Sequence, residues 1–419
     1  MDSSPTTNTQ LKRLWRRTYK STLERIRYSI PEPFLDFKLK IIEWRESKTI
    51  AQNREILRQI LQEKLTGKDY RAIIIFPPSL DWNVQLFQRP QQLALALAKQ
   101  GALVFYIEPV IDHKQQPFKL FRERLYLCPV HVNTFQIILN PLIYLLTWNC
   151  RFHSQFVNPR IIYDYLDDIH AFYGNLKKIT KDHQYLVQNA DYIFITARRL
   201  IEEVRPQRND AIFSPNGVDY EHFARAARHE FSAPPQDMQT ILSESNPIIG
   251  YYGALARWFD YDLLKSVAEL RPDYQFVLIG PDYDGSLELV EIKNIKNVYW
   301  LGVKTYDELP RYLQYFDVAT IPFLINEITH TTSPIKLFEY MAGEKPVVIT
   351  PMHESMHYSG VFVGKNPLEF AQQIDSALEM RDNQNYLSLL RRTALENTWS
   401  HRAEEILLAV EDKSGKVLF

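Results

Sequence analysis

Glycine is scarce in this chain: 13 of 419 residues, about 3% against a typical ~7%. Any glycine-rich phosphate loop must therefore sit at a few specific places. Cysteine is nearly absent, and Cys128 and Cys150 form no CxxC pair. Two thiols make no disulfide framework for a chain of this length, so a reducing, cytoplasmic setting is the expectation. Neither sign of charge is in excess: 49 Lys and Arg face 50 Asp and Glu, a formal balance of −1. A dedicated nucleic-acid binder would carry a basic surplus, so no nucleic-acid partner is expected. Long hydrophobic runs are also missing. The most apolar stretch, Phe135 to Trp148, is interrupted by Gln136, Asn140 and Pro141. It is shorter than the ~20 residues of a membrane-spanning helix, and reads as core or as a surface-seeking loop. The first ten residues are polar and no apolar run follows them, so no secretory signal is expected.

What remains is ordinary globular composition, 45% apolar and 24% charged, with length for two or three domains. Residues 1–68 read as a helical N-terminal extension. Within residues 1–30, seven Lys and Arg outnumber Asp2 and Glu24, a balance of +5. Leu11, Leu14, Trp15, Tyr19 and Leu23 interleave with those charges at helical spacing. Such a helix suits peripheral contact with an anionic membrane face; the plainer alternative is a solvated extension packed on the main body.

From Arg71 the pattern alternates. Short apolar runs such as Ala72–Phe76, Leu103–Ile107, Ile161–Leu166 and Tyr192–Ile195 read as buried parallel strands. Residues 229–246 look like a polar, Pro-containing linker. The alternation then restarts with Ile248–Tyr252, Gln275–Ile279, Val298–Leu301, Val318–Ile321 and Val347–Thr350. Two successive βα arrays predict an α/β protein of two doubly wound Rossmann-like domains facing a cleft, residues 69–228 and 247–398. Ligands of such sheets bind beyond the carboxyl ends of the strands.

The stretch Thr331-Thr-Ser-Pro-Ile-Lys-Leu-Phe-Glu339-Tyr-Met-Ala-Gly343 carries the most chemistry. Ser333 suits a helix N-cap, Pro334 the first helical position and Gly343 the stop. The free N–H groups of Ile335 and Lys336 at that helix start would suit a phosphate. Glu339, about a turn and a half in, could accept two hydrogen bonds from a vicinal diol such as a ribose, or simply pair with Lys336. In the first half, Trp82 could stack on a sugar or pack its loop. Gln88 and Arg89 open a helix facing the cleft. Asp167-Asp168-Ile169-His170 ends a strand and offers an acceptor-activating base or a sugar contact, one Asp serving as a helix cap. Asn216-Gly217 is a turn where backbone approaches the cleft.

These motifs resemble those of GT-B glycosyltransferases of the family 4 or "group 1" type. The resemblance rests on Glu339-Tyr-Met-Ala-Gly-Glu-Lys-Pro-Val-Val348, on Pro215-Asn-Gly-Val-Asp219, on Gly250-Tyr-Tyr-Gly253, on Leu278-Ile-Gly-Pro281 and on Asn297-Val-Tyr-Trp-Leu-Gly302. Trp82 followed by Gln88-Arg89-Pro90 is similar to a subgroup among cell-surface polysaccharide glycosyltransferases. The resemblance covers roughly residues 70–412. It implies a C-terminal helix, residues 399–419, crossing back to the first domain. It implies a nucleoside diphosphate sugar bound by the second domain through Gly253, Arg257, Gly280, Pro281, Leu301, Thr331, Ser333, Ile335, Lys336 and Glu339. It implies a glycan or lipid-linked hydroxyl acceptor on the first domain, near Trp82, Gln88, Arg89, Asn216 and Gly217, with retention of configuration. No cofactor and no metal are implied; helix dipole and cations would stabilise the leaving diphosphate.

The chain departs from the family pattern in three places. Thr331 stands where a second Glu is common, Pro334 where a Gly flanks the diphosphate, and Arg257 alone replaces an Arg and Lys pair. These departures keep two rivals open, a nucleotide-sugar 2-epimerase on the same fold and a catalytically weakened nucleotide-sugar-binding scaffold. Two decoys are set aside. His353-Glu-Ser-Met-His357 is a literal HExxH, but it follows a strand and Pro351 with no room for a substantial helix. Asp260-Tyr-Asp262 and Asp282-Tyr-Asp284 match DxD, a triplet too short to inform.

Overall fold

In the computed structural model, residues 32–66, 70–84, 86–171 and 175–414 are described. Residues 1–30, on which the membrane expectation rests, lie outside them. The extension enters as the helix Glu32–Leu65. Its last turns dock on the first domain: Ile50 and Leu57 are buried, and the Arg54 guanidinium donates to the Asn133 carbonyl at 2.9 Å. No helix of the described residues is long and apolar enough to cross a membrane.

The first sheet contains β1 (Ile73–Phe76), β2 (Leu103–Ile107), β3 (Lys119–Arg122), β4 (Leu125–Cys128), β5 (Leu142–Leu145), β6 (Arg160–Tyr165), β7 (Tyr192–Ile195) and β8 (Ile212–Phe213). Its order is β3-β4-β2-β1-β5-β6-β7-β8. All pairings are parallel except β3 with β4. The hairpin between them turns at Arg124, φ 67°, and puts the exposed, charged β3 at the sheet edge, where it discourages further pairing. The central strands are buried on both faces, as a parallel sheet covered by helices requires. The apolar stretch around Leu142–Leu145 is thus a central strand, neither membrane-seeking nor loop.

The second sheet contains β9 (Ile248–Tyr252), β10 (Gln275–Ile279), β11 (Val298–Trp300), β12 (Val318–Ile321), β13 (Val347–Ile349) and β14 (Val361–Val363). Its order, β11-β10-β9-β12-β13-β14, is wholly parallel. The order reverses between β9 and β12, the switch point where such sheets bind ligands.

The domain boundary differs from the sequence expectation. Val218, Phe223 and Ala226 belong to the second core, so the first domain ends near Gly217 rather than at residue 228. Residues 229–246 are not a free linker either, because Met238 and Ile241 are buried in the same core. The chain crosses at Pro215–Val218 and returns at Asn397–Trp399. The two crossings pair with each other: Val218 donates to Asn397 O at 2.9 Å and Trp399 to Val218 O at 3.1 Å. A Cβ on Gly217 would lie 2.8 Å from the Thr398 carbonyl carbon, so only glycine lets the crossings touch. The final helix, Trp399–Ser414, buries Trp399, Ala403, Ile406, Leu407 and Val410 against the first domain. Arg71 fixes it through Glu404 and Glu411.

Candidate functional site

At the switch point, two glycines do what no other residue could. Gly253 follows β9 with φ +139° and Gly280 follows β10 with φ +140°, conformations open to glycine. A Cβ on Gly280 would overlap the Gly253 carbonyl oxygen, and one on Gly253 would lie 2.7 Å from Lys336 Cε. The floor of the site is therefore backbone, with Lys336 laid across it. Pro281 is buried and its carbonyl accepts from Leu255 at 3.0 Å. Gly280 donates to Gly302 O at 2.8 Å, while the adjoining Leu301 donates to Leu278 O.

The second helix after β12 spans Ile335–Ala342 and brings Lys336 onto this floor. Its caps differ from the sequence reading. Ser333 is not the cap; Pro334 precedes the first turn and supplies no side-chain bond. The Ser333 hydroxyl instead accepts from the Asn216 N–H at 3.3 Å, and its carbonyl accepts from the Asn216 side chain at 2.5 Å. Gly343 keeps φ −77°, and Glu344 takes the left-handed turn at φ 54°. Gly343 is needed for space: a Cβ there would lie 2.5 Å from Leu313 Cδ2.

Glu339 lies on the buried face, 5% exposed. Burial pushes its carboxyl up to about 7, against the pull of Lys336 and the Tyr252 hydroxyl. Lys336 stands over the Phe323 and Tyr251 rings, 5.0 and 5.6 Å from their centroids. Burial brings its ammonium down to about 8, while Glu339 holds it up. A carboxylate and an ammonium are thus poised near neutrality beside free helix N–H groups. One can accept a diol; the other can meet a phosphate.

Two other expected donor residues make local bonds. The Thr331 hydroxyl donates to Ile328 O at 2.8 Å and closes a short helix. Arg257 is exposed on the turn after β9, where its backbone N–H meets Asp284 at 3.1 Å.

In the first domain the structure corrects two expectations. Trp82 is 4% exposed, ringed edge-on by Phe87, Tyr106 and Phe121, and presents no face for a sugar. Arg89 is no free cleft residue. It is buried in a bidentate pair with Asp164, at 2.7 and 3.1 Å, and donates to Pro215 O at 2.9 Å. Its guanidinium therefore fixes the chain crossing from below. Gln88 opens the helix Arg89–Lys99, its N–H meeting the Gln91 side chain.

Asp168 accepts from the His170 N–H at 2.8 Å and meets its ring Nδ1 at 2.7 Å, acting as the local cap. Asp167 is raised to about 6 by burial, with Asp168 and Asp164 adding to the effect.

The decoys are structural. Glu354 of HExxH is fully buried and ion-paired with Arg198 of the first domain, on a single turn Ser355–His357. Asp260 caps the helix Tyr261–Leu270 and Asp282 accepts from Gly285. Sequence reasoning missed Asp164, the buried partner of Arg89. Asp164 had a signal, a lone charge within an apolar strand, which demands a partner.

With this geometry the chain can be placed among known proteins. Residues 246–380 match the family described as Glycosyl transferases group 1. That match covers most of the second domain. The whole two-domain arrangement is the GT-B fold. A Bacillus subtilis protein described as a teichuronic acid biosynthesis glycosyltransferase, TuaH, is 26% identical over 232 residues, 53% of this chain and 57% of that protein. The chain thus spans just over half the length of that relative. Among solved structures, sucrose-phosphate synthase from Thermosynechococcus elongatus superposes with a TM-score of 0.62 at 15% identity, over 82% of this chain and 99% of that one. Anabaena HepE, solved in complex with UDP-glucose, gives 0.58 at 14% identity, over 81% and 99%. At these identities the structures speak for the fold alone.

Proposed function

We propose that this chain is a glycosyltransferase that moves a sugar from a nucleoside diphosphate sugar to a hydroxyl on a glycan or lipid-linked acceptor, in surface polysaccharide or glycoconjugate synthesis. The observation that carries the reading is the single locus of Gly253, Gly280, Lys336 and Glu339 at the switch point. Backbone floor, helix start and ammonium suit a diphosphate; a buried carboxylate suits a ribose diol. The UDP-glucose held by HepE and the polysaccharide role printed for TuaH support the donor and acceptor classes.

As the bond from the anomeric carbon to the diphosphate breaks, negative charge gathers on the leaving oxygen. The N–H groups at Ile335 and Lys336, and the Lys336 ammonium, are placed to receive it. Asp167, near neutrality, would take the acceptor hydroxyl proton. The resemblance favours retention of configuration. Residues 1–30, with their basic and aromatic spacing, would hold the enzyme at an anionic inner membrane face. Liposome binding that is equal with and without those residues would remove that last element.

The test is a thermal-shift series with UDP, GDP and ADP. A ligand at 100 times its Kd adds about 2.7 kcal/mol, enough to rank the three. Glu339→Gln and Glu339→Ala should lose roughly tenfold to more than a hundredfold in affinity for the preferred nucleotide. No shift with any of the three ends this reading.

A further inference from the structure

The Asp260-Tyr-Asp262 triplet lies outside the donor locus, yet it lines a cavity beside it. That cavity holds about 400 Å³, within the roughly 300–1,000 Å³ of small-molecule sites. It opens beyond the carboxyl ends of β12 and β13, between the starts of the helices Tyr261–Leu270 and Pro367–Met380. Asp260, Asp262, Lys365 and Asn366 give it polar walls, and Phe323 and Ile325 an apolar one. Phe323 is the partition. Its ring also carries Lys336, whose Nζ stands 5.0 Å from the centroid, so the cavity adjoins the donor locus without including Gly253, Lys336 or Glu339.

Three loops frame the apolar side. They leave the carboxyl ends of β9, β10 and β12, and main-chain bonds sew them together. Tyr283 donates to Leu255 O, Asp260 to Pro322 O and Leu324 to Trp258 O, each at 2.8 Å. Phe259 pairs with Phe323 in an antiparallel bridge, and the Arg257 N–H donates to Asp284 at 3.1 Å. On this fixed frame stand Tyr283, Leu324 and Ile325, exposed by 59%, 39% and 41%. The Trp258 and Tyr283 rings lie 5.7 Å apart, tilted by 52°. Large apolar side chains gathered on rigid backbone mark a contact surface, and Ile325 carries it into the cavity.

The mixture of groups selects the ligand. A sugar ring offers an apolar face of C–H groups and a girdle of hydroxyls, each both donor and acceptor. The Asp260 Oδ1 is taken by its helix cap, accepting from Leu263 at 2.9 Å. The Asp262 carboxylate and the Lys365 ammonium, both exposed, make no ion pair among the described residues. One can accept from hydroxyls and the other donate to them, while the rings and aliphatic groups meet the C–H face. Two acids against one base disfavour a phosphate or an anionic surface.

We propose that this cavity and its rim, from Tyr283 and Trp258 to Asp262 and Lys365, bind a glycan of neutral or amino sugars. The choice of a glycan rests on the glycosyltransferase reading given above. The site goes beyond that reading, because it gives the second domain a share in holding the acceptor chain away from the reacting sugar. It also supplies what Trp82, enclosed by its neighbours, does not: exposed rings beside polar groups.

The probes are maltotetraose, a chitosan tetramer and a tetragalacturonate, which are neutral, amino and acidic in turn. Their binding to the full chain is measured by calorimetry, with UDP, GDP and ADP in parallel. Wild type should bind the neutral or the amino chain and hold it more tightly than the acidic one. Tyr283→Ala and Asp262→Asn alter exposed residues, so melting temperatures should stay unchanged. Each should weaken the preferred chain roughly threefold to tenfold and leave nucleotide affinity unaltered. Preference for the acidic chain, or a preferred chain bound equally by both variants, overturns this proposal and leaves the function intact. So does an absence of binding to all three chains while a nucleotide binds. A parallel loss of chain and nucleotide marks a disturbed second domain, and also overturns it. Chain binding with no nucleotide binding keeps this site and removes the glycosyltransferase reading. No binding of either kind by wild type overturns both.

Discussion

The side chain of Asn216 donates to the main-chain carbonyl of Ser333 at 2.5 Å, and its backbone N–H donates to the Ser333 hydroxyl at 3.3 Å. One residue of the chain crossing thus grips the entry to the donor helix. The next residue, Gly217, lets the outgoing and returning crossings lie in contact. Gly217→Ala would set its Cβ against backbone rather than a movable side chain. That should cost about 1–3 kcal/mol in denaturant unfolding. Asn216→Ala should cost about 1 kcal/mol and leave the crossing more open to limited proteolysis. Unchanged stability and cleavage in both variants would deny the crossing this role.

Arg89 and Asp164 are almost fully buried, 2% and 1% exposed, and Tyr144 adds a hydrogen bond to Asp164. Removing one charge strands the other in a dry interior. Arg89→Met or Asp164→Leu alone should each cost about 3–5 kcal/mol, and the double variant should recover much of that loss. Because Arg89 also holds Pro215 O, even a refolded double variant should show a looser crossing by proteolysis. A double variant no better than the singles would mean the pair is more than charge compensation.

Much of this was legible in the chain. Ile248–Tyr252, Gln275–Ile279 and Val318–Ile321 are strands with the bounds that their apolar runs suggest, because buried parallel strands leave no polar face to confuse the pattern. Lys119–Arg122 was not visible, since an exposed edge strand has no apolar run to announce it. The crossing was misplaced because polar residues 229–246 look like a linker, while their few apolar members, Met238 and Ile241, complete a core assembled from distant sequence. Trp82 shows the same limit at the site. An aromatic on a long loop reads equally as a stacking platform or as packing, and only Phe87, Tyr106 and Phe121 decide between them. The helix that carries Glu339 was legible because Pro334 and Gly343 bound its eight residues. The contact of Phe87 with Tyr306 was not, since it exists only across the two domains.

Donor turnover should persist in EDTA. On the proposed reading, the helix start and Lys336 would supply the positive charge that a leaving diphosphate needs. The measurement is release of free sugar from the preferred nucleotide sugar, with and without chelator. Full loss of turnover, restored by added divalent cation, would replace Lys336 with a metal in this account.

Stability and donor binding should share a pH signature set by Glu339 and Lys336. Glu339 binds its proton more tightly in the folded chain, at about 7 against an ordinary 4.5. Protonation therefore favours folding. This contribution is fully present below about 4.5 and is lost as the pH rises to about 7. Lys336 falls from 10.5 to about 8 on folding, so its charged form opposes folding. Stability should then be regained as the pH climbs from about 8 to 10.5. Each arm amounts to about 3 kcal/mol at most. Urea unfolding at intervals from pH 4 to 10 should show the first arm vanish in Glu339→Gln and the second in Lys336→Met. Binding of a nucleotide sugar should run the other way, strongest where both groups are charged, near pH 7–8. A sugar nucleotide suits this measurement because its diphosphate carries no proton in that range. Glu339→Gln should flatten the acid limb and Lys336→Met the alkaline limb. A binding profile that keeps both limbs in both variants would place the titrating groups elsewhere.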